Sequence, residues 1–231
     1  MYEIRMAHPA KNALSNDLMG WLEQEVAAAG QEPVLLTGTG DAFCAGLNLV
    51  EFAGLEPPAV EAFVRRVDEL AMRLYQHPAP VVAAANGHAI AGGCVLLAAC
   101  DYRVATSNPR TRIGLNEVAL GVCFPPKIRR MLELSLPRER LDELLLGAGL
   151  YAPEEALRLG LVDELADDPE AVARERLAKW SAHPASAYAR TKRALHDVRL
   201  TPEDVRAFEE VELPIWRSED VRRRVLAALG K

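Results

Sequence analysis

The stretches PVLLTGTG (residues 33–40) and PVVAAANG (80–87) are apolar at every strand position and end in glycine-containing turns. A strand with one wet face alternates apolar and polar residues. An unbroken apolar run closed by turn residues belongs to a strand covered on both faces, as in parallel sheets with flanking layers. DYRVAT (101–106) is a third candidate strand. Helical patterns lie between them. Leu14, Leu18, Leu22 and Val26 recur at helical spacing before a stop at Gly30, and PPAVEAFVRRVDELAMRLYQH enters through Pro58 and stops before Pro78. This strand–helix–strand rhythm predicts α/β layering.

After Pro125 the pattern turns helical. PPKIRRMLELSL and PRERLDELLLGAG read as short helices with proline starts. YAPEEALRLGLVDEL gives a helix under Pro153, a stop at Gly160 and a short strand. Three further helices follow in DPEAVARERLAKWSAH, ASAYARTKRALHDV and TPEDVRAFEEVELPIW. Thr201 caps the last, with Pro202 in its first turn, and Ser218 gives the same start signal to SEDVRRRVLAALGK. No internal repeat, low-complexity tract or linker divides the chain. The expectation is one domain, with a core over 1–165 and a helical region over 166–231.

With 231 residues, half of them hydrophobic, the chain can bury a full core. No run approaches the roughly 20 apolar residues of a membrane span, and the start shows no signal-peptide pattern, so a cytoplasmic protein is expected. Cys44, Cys94, Cys100 and Cys123 form no CxxC pair and sit among apolar neighbours, as small buried residues do. The five histidines never reach metal-ligand spacing, so no metal is expected. A net charge of −6, with no basic stretch beyond VRRRV (221–225), argues against nucleic acid as partner.

Two loops share a logic: GTGDAFCAGLNL (38–49) and ANGHAIAGGC (85–94) each follow a buried strand and carry glycines among small residues. Glycine lets another group approach the main chain closely. A helix beginning at Gly92–Gly93 presents free N–H groups, and one N–H from each loop can converge on a single oxygen. Glycines that merely make tight turns are the simpler reading of either loop alone. Neither GxGxxG nor GxxxxGK[ST] occurs, so a dinucleotide or phosphate cradle has no support. In RIGLNEVALG (112–121) a lone glutamate, Glu117, stands among Ile113, Leu115, Val118 and Leu120. Such surroundings raise a carboxyl pKa and make a stronger base once ionised. Without a family context, an ordinary surface glutamate on a short helix is the simpler reading.

Taken together, NAL (Asn12–Leu14), GTGDAFCAGLNL, PVVAAANGHAIAGGCVLLAACDYRVA, IGLNEVALGV and APEEALRLGLVDEL resemble the crotonase (enoyl-CoA hydratase/isomerase) superfamily in order and spacing, up to about Leu165. The resemblance implies an α/β spiral of ββα repeats with a C-terminal helical trimerisation region, assembled as a homotrimer or a dimer of trimers. It implies an acyl-CoA thioester substrate and no cofactor beyond the coenzyme A of that substrate. The family's oxyanion donors fall on the backbone N–H groups of Leu47 and Gly92, with Ala45, Gly46 and Gly93 also along the substrate. Lys11, beside NAL, is a candidate contact for the CoA phosphates. The family's first hairpin would be supplied only in part by MYEIRMAHP.

One departure bears on the reaction. Hydratases of the family carry two glutamates, and the first of those positions is Val95 here, leaving only Glu117. The run CDYRVATSNPRTRIGLNEVALGV looks like the mitochondrial-type Δ3,Δ2-enoyl-CoA isomerases, which keep this single acid. An isomerase with Glu117 as its only acid/base is therefore expected. The alternatives are a weak hydratase, a thioester hydrolase, or a crotonase-fold protein that binds acyl-CoA without turnover. Cys44 has no histidine in a motif with it, and Ser15, Ser107 and Ser135 lack a nucleophile elbow. His88 reads as a turn residue beside the pocket. Arg222–Arg224 reads as a solvated helix face.

Overall fold

In the computed structural model, which describes residues 1–230, the strands form two separate parallel sheets. The larger contains β1 (Tyr2–Met6), β2 (Val34–Gly38), β4 (Val81–Ala85), β6 (Tyr102–Thr106) and β8 (Glu164–Ala166), side by side in that order. The smaller contains β3 (Ala42–Cys44), β5 (His88–Ile90) and β7 (Ile113–Gly114). From β2 onward the chain visits the large sheet, then the small one, then a helical segment, and repeats. Helices Leu49–Ala53 and Pro57–Tyr75 follow β3, helix Gly92–Ala98 follows β5, and a 3₁₀ turn, Glu117–Leu120, follows β7. This is the expected spiral of ββα repeats.

The unbroken apolar strands have a direct cause. On one face of the large sheet Leu36, Ala83 and Ala85 join the main core, with Phe43, Phe63 and Leu97 among its other members. On the opposite face Leu35, Val82, Ala84 and Val104 pack against Ala173 and Leu177 of helix Pro169–Ser181. Side chains still alternate, but both faces are dry. Register is tight, with Val34 opposite Val81, Val82 opposite Tyr102 and Val104 opposite Glu164. A one-residue slip would exchange the two cores.

Most expected elements stand within about three residues of their predicted bounds, including helices Asn16–Ala29, Pro126–Ser135, Pro153–Leu159 and Ala185–Leu195. Thr201 caps helix Pro202–Ala207 in a reciprocal capping box with Asp204, and Ser218 caps helix Glu219–Ala228. The expected closing helix also takes in Lys231, which lies outside the described residues.

Three expectations change. Residues 2–6 form no part of a hairpin; β1 adds in parallel to the edge of β2. The expected helix over PRERLDELLLGAG is a 3₁₀ turn, Arg138–Arg140, followed by a π turn, Asp142–Leu146. The single helix expected over TPEDVRAFEEVELPIW is interrupted by a π turn at Phe208–Glu212. Among the described residues no helix is long and apolar enough to cross a membrane.

Candidate active site

The first glycine loop runs from β3 to the helix at Leu49. Leu14 lies beside it in a parallel bridge to Leu47, donating its N–H to Gly46 O at 2.7 Å and accepting from Asn48 N at 2.9 Å. In such a bridge the flanking residues hold the bonds, so the N–H of Leu47 points to the other side. That amide donates to no protein acceptor among the described residues. The segment leading to Leu14 is unusual. Ala10, Lys11 and Asn12 have φ of 55°, 59° and 56°, three consecutive non-glycine residues wound left-handed. Such a turn persists only where its surroundings hold it.

The second loop uses a different device. Ala91 takes φ 48° and ψ −122° at the foot of helix Gly92–Ala98, with its own N–H given to Gly114 O at 2.8 Å. This strained residue turns the chain so that the amide of Gly92 is left without a protein acceptor among the described residues. A Cβ on Gly92 would come within 2.9 Å of a Leu14 methyl and 3.4 Å of a Leu47 methyl, so the two loops meet here.

Glu117 opens the 3₁₀ turn after β7 and is 7% exposed. Its Oε2 is buried and has no hydrogen-bond partner among the described residues. Burial pushes its carboxyl up to about 8, offset only in part by the backbone amides of Glu117 and Asn116. No cation faces it.

Ala45, Leu47, Gly92, Val95 and Glu117 line one apolar cavity that encloses about 940 Å³, part of it open to solvent. The structure thus brings together a free amide from each loop, one carboxylate and Val95. Val95 is 2% exposed.

Other expected site residues lie elsewhere. Gly46 and Gly93 do not line the cavity. Gly93 is needed for packing, because a Cβ there would fall 2.0 Å from Cys44 O, and one on Gly46 would fall 2.7 Å from Ile90 O. Lys11 pairs with Asp41 at 2.6 Å on the surface, both side chains more than half exposed. Val118 is 43% exposed and does not line the cavity; Leu120 does, as expected, and Val95 and Phe124 join it beside Glu117. His88 sits on β5, its Nδ1 accepting from Arg112 N at 3.0 Å. Cys44 is fully buried, its thiol pushed up to about 12 by desolvation, which removes it as a nucleophile. Among the described residues no cluster of three metal-ligating side chains occurs.

The sequence reading missed much of the wall. Asn116, on the cavity, buries its Oδ1 without a partner; its place beside Glu117 was the available signal. Phe52 stands edge-on to both Phe63 and Trp216, at 5.8 and 6.0 Å between ring centres, and all three face the cavity. Trp216 donates its Nε1–H to Cys123 O at 3.1 Å. Val221, Val225 and Ala228 of the last helix complete the lining. The C-terminal region thus walls the cavity of its own chain. No local pattern marks such residues, because they are ordinary apolar positions brought in from far along the sequence.

The enoyl-CoA hydratase/isomerase family profile matches residues 1–218. The chain belongs to that family, the crotonases. It is 36% identical over 161 residues to human mitochondrial enoyl-CoA delta isomerase 1, covering 69% of this chain and 53% of that protein. It is 30% identical over 166 residues to crotonyl-CoA hydratase of Syntrophomonas wolfei, covering 70% and 63%. The match thus spans about half the length of the isomerase. The crystal structure of human mitochondrial Δ3-Δ2-enoyl-CoA isomerase superimposes with a TM-score of 0.86 at 30% identity, over 99% of this chain and 92% of that one. The crotonase fold is therefore shared across nearly the whole chain.

Proposed function

We propose that this chain is an enoyl-CoA isomerase that moves a double bond from the 3,4 to the 2,3 position of an acyl-CoA thioester. The thioester oxygen accepts from the N–H groups of Leu47 and Gly92. Glu117 takes a proton from C2, the C2–H electron pair becomes part of a dienolate, and the same carboxyl returns the proton at C4 as the C2=C3 bond settles. A proton α to a thioester is far too weakly acidic for a free carboxylate. Two amides aimed at the developing oxyanion close that gap, each worth roughly 2.7–4 kcal/mol of transition-state stabilisation. The shift is redox-neutral and asks for no cofactor beyond the coenzyme A of the substrate.

One observation carries the reading: a single buried carboxylate without a partner among the described residues shares a cavity with two free amides and with Val95, the position at which the family resemblance puts the hydratases' other acid. Water addition needs one group to activate water and deliver its proton while another helps position it, and one carboxylate serves the 1,3-shift better. A second reading, hydration of a 2-enoyl thioester, draws on the likeness to crotonyl-CoA hydratase and on the Asn116 amide in the cavity wall. Paired assays decide between them. Isomerisation of a 3-enoyl-CoA, followed by the absorbance of the conjugated product, should far exceed loss of absorbance from crotonyl-CoA. The reverse ratio overturns the isomerase reading, and binding without either reaction overturns both. Assembly as a trimer or a pair of trimers, in the cytoplasm, accompanies this reading; light scattering and cell fractionation test it.

A further inference from the structure

We infer that Asn12 is a positioning residue for the oxyanion site, a clamp that aims the N–H of Leu47. The inference rests on the proposed role of that amide and goes one layer behind it. Asn12 is 1% exposed, yet its side chain touches no ligand cavity. Its Nδ2 donates to two successive carbonyls, Ala42 O at 3.1 Å and Phe43 O at 3.2 Å, both on β3. Its Oδ1 accepts from His8 N at 2.8 Å, closing the left-handed turn from its other end. One side chain therefore ties the turn at residues 10–12 to the strand that feeds the Leu47 loop.

The backbone continues the connection. Lys11 O accepts from Ala45 N at 3.1 Å, and the bonds of Leu14 to Gly46 and Asn48 follow. Segment 11–14 and segment 42–48 thus run side by side, and the free amide of Leu47 is aimed by the bonds its neighbours make to Leu14. The turn that delivers Leu14 is one that alanine and lysine resist, because Cβ crowds the following carbonyl when φ is positive. Asparagine tolerates that region better than most residues. It also has both a donor and an acceptor to lock the turn in place, which alanine and glycine do not. With the clamp removed, the turn can relax toward right-handed geometry, carrying Leu14 and the Leu47 amide with it. The rest of the cavity wall, beyond Ala45 and Leu47, is built from other elements and would remain.

The test compares full-length wild type with Asn12→Ala and Asn12→Gly, using 4-(dimethylamino)cinnamoyl-CoA as probe. Its amino group is conjugated with the thioester carbonyl, so hydrogen bonds to that oxygen shift its absorption to longer wavelength. Wild type should show a clear red shift on binding. Both variants should bind the probe with at most a few-fold loss of affinity yet show less than half the shift. In turnover of a 3-enoyl-CoA they should lose about 10²-fold in kcat with KM within about threefold, the pattern of a misaimed group. A merely structural role would lower the melting temperature without moving the bound spectrum. Should Asn12→Ala fail to fold, Asn12→Gly carries the test alone, since glycine takes the left-handed turn freely but cannot hold the two carbonyls. Full red shift and near wild-type kcat in Asn12→Gly overturn the clamp. Absence of a red shift in wild type overturns instead the oxyanion reading on which the clamp depends.

Discussion

Two buried carboxylates in this chain live under opposite rules. Asp101, its side chain 6% exposed, accepts from Val81 N at 2.7 Å, Lys192 Nζ at 2.6 Å and Tyr188 Oη at 3.2 Å. Glu117 is as deeply buried, but among the described residues no cation pairs with it and its Oε2 has no hydrogen-bond partner. Asp68 falls between: a single amide, Ile128 N at 3.0 Å, serves it, and burial lifts its carboxyl to about 6. The comparison separates a carboxylate that stabilises the fold from one the fold tolerates. Burying an unpaired acid works against folding, so its presence in a cavity with two free amides is best explained by what it does there.

Glu117→Gln should produce the largest break in that comparison, removing about 10²–10⁴-fold of isomerase kcat while acyl-CoA still binds. Calorimetric binding of a saturated acyl-CoA beside the rate measurement checks it, and substantial residual turnover removes Glu117 from the reaction. Lys192→Met should do the reverse: it strands Asp101 and lowers stability by about 3–5 kcal/mol in urea titration. The kcat of the folded fraction should stay unchanged.

The same Glu117→Gln variant should also be more stable than wild type at alkaline pH. The folded-state pKa of Glu117 is raised from 4.5 to about 8, so the folded protein holds this proton more tightly than the unfolded one. The associated stability is fully present below about pH 4.5 and is lost as pH rises through 8. Glutamine removes that loss, a gain on the order of 2–4 kcal/mol at pH 9 and none at pH 4. Urea midpoints across pH check the sign. For the same reason wild-type kcat/KM should climb with pH and level off only above about 8, since the base must be ionised; a flat profile from pH 5 to 9 contradicts the assignment. Val95→Glu gives the cavity a second acid and should raise hydration of crotonyl-CoA by about tenfold; no gain at all would undo the account of Val95. Lys11→Ala should change little, under about 1 kcal/mol in stability, because an exposed pair such as Lys11–Asp41 contributes little.

The fold was readable where burial on two faces leaves an unbroken apolar run, as in β2 and β4, and where caps such as Thr201 and Ser218 are local. It was unreadable where strands are two or three residues long, as β5 and β7 are, since no period can be seen in so few positions. The π turns at 142–146 and 208–212 likewise look like ordinary helix in sequence. Glu117 and the loops of Leu47 and Gly92 were found because their spacing resembles a family, and the residue periodicities alone left Glu117 indistinguishable from a surface acid. Lys11 is paired with Asp41, thirty residues along the chain, a partner that no local spacing reveals. The aromatic wall of Phe52, Phe63 and Trp216 depends on the folding back of the C-terminal helices, which only tertiary structure reveals.

The cavity draws its lining from Ala45 to Ala228, so no fragment of the chain could reproduce it. Occupancy and global folding are consequently a single equilibrium: a thioester that fills the space adds its binding free energy to the stability of the entire domain. Thermal melts run against a ladder of saturated acyl-CoAs would then act as a ruler, with the greatest upward displacement marking the tail length that best matches the space between Glu117 and the aromatic rings.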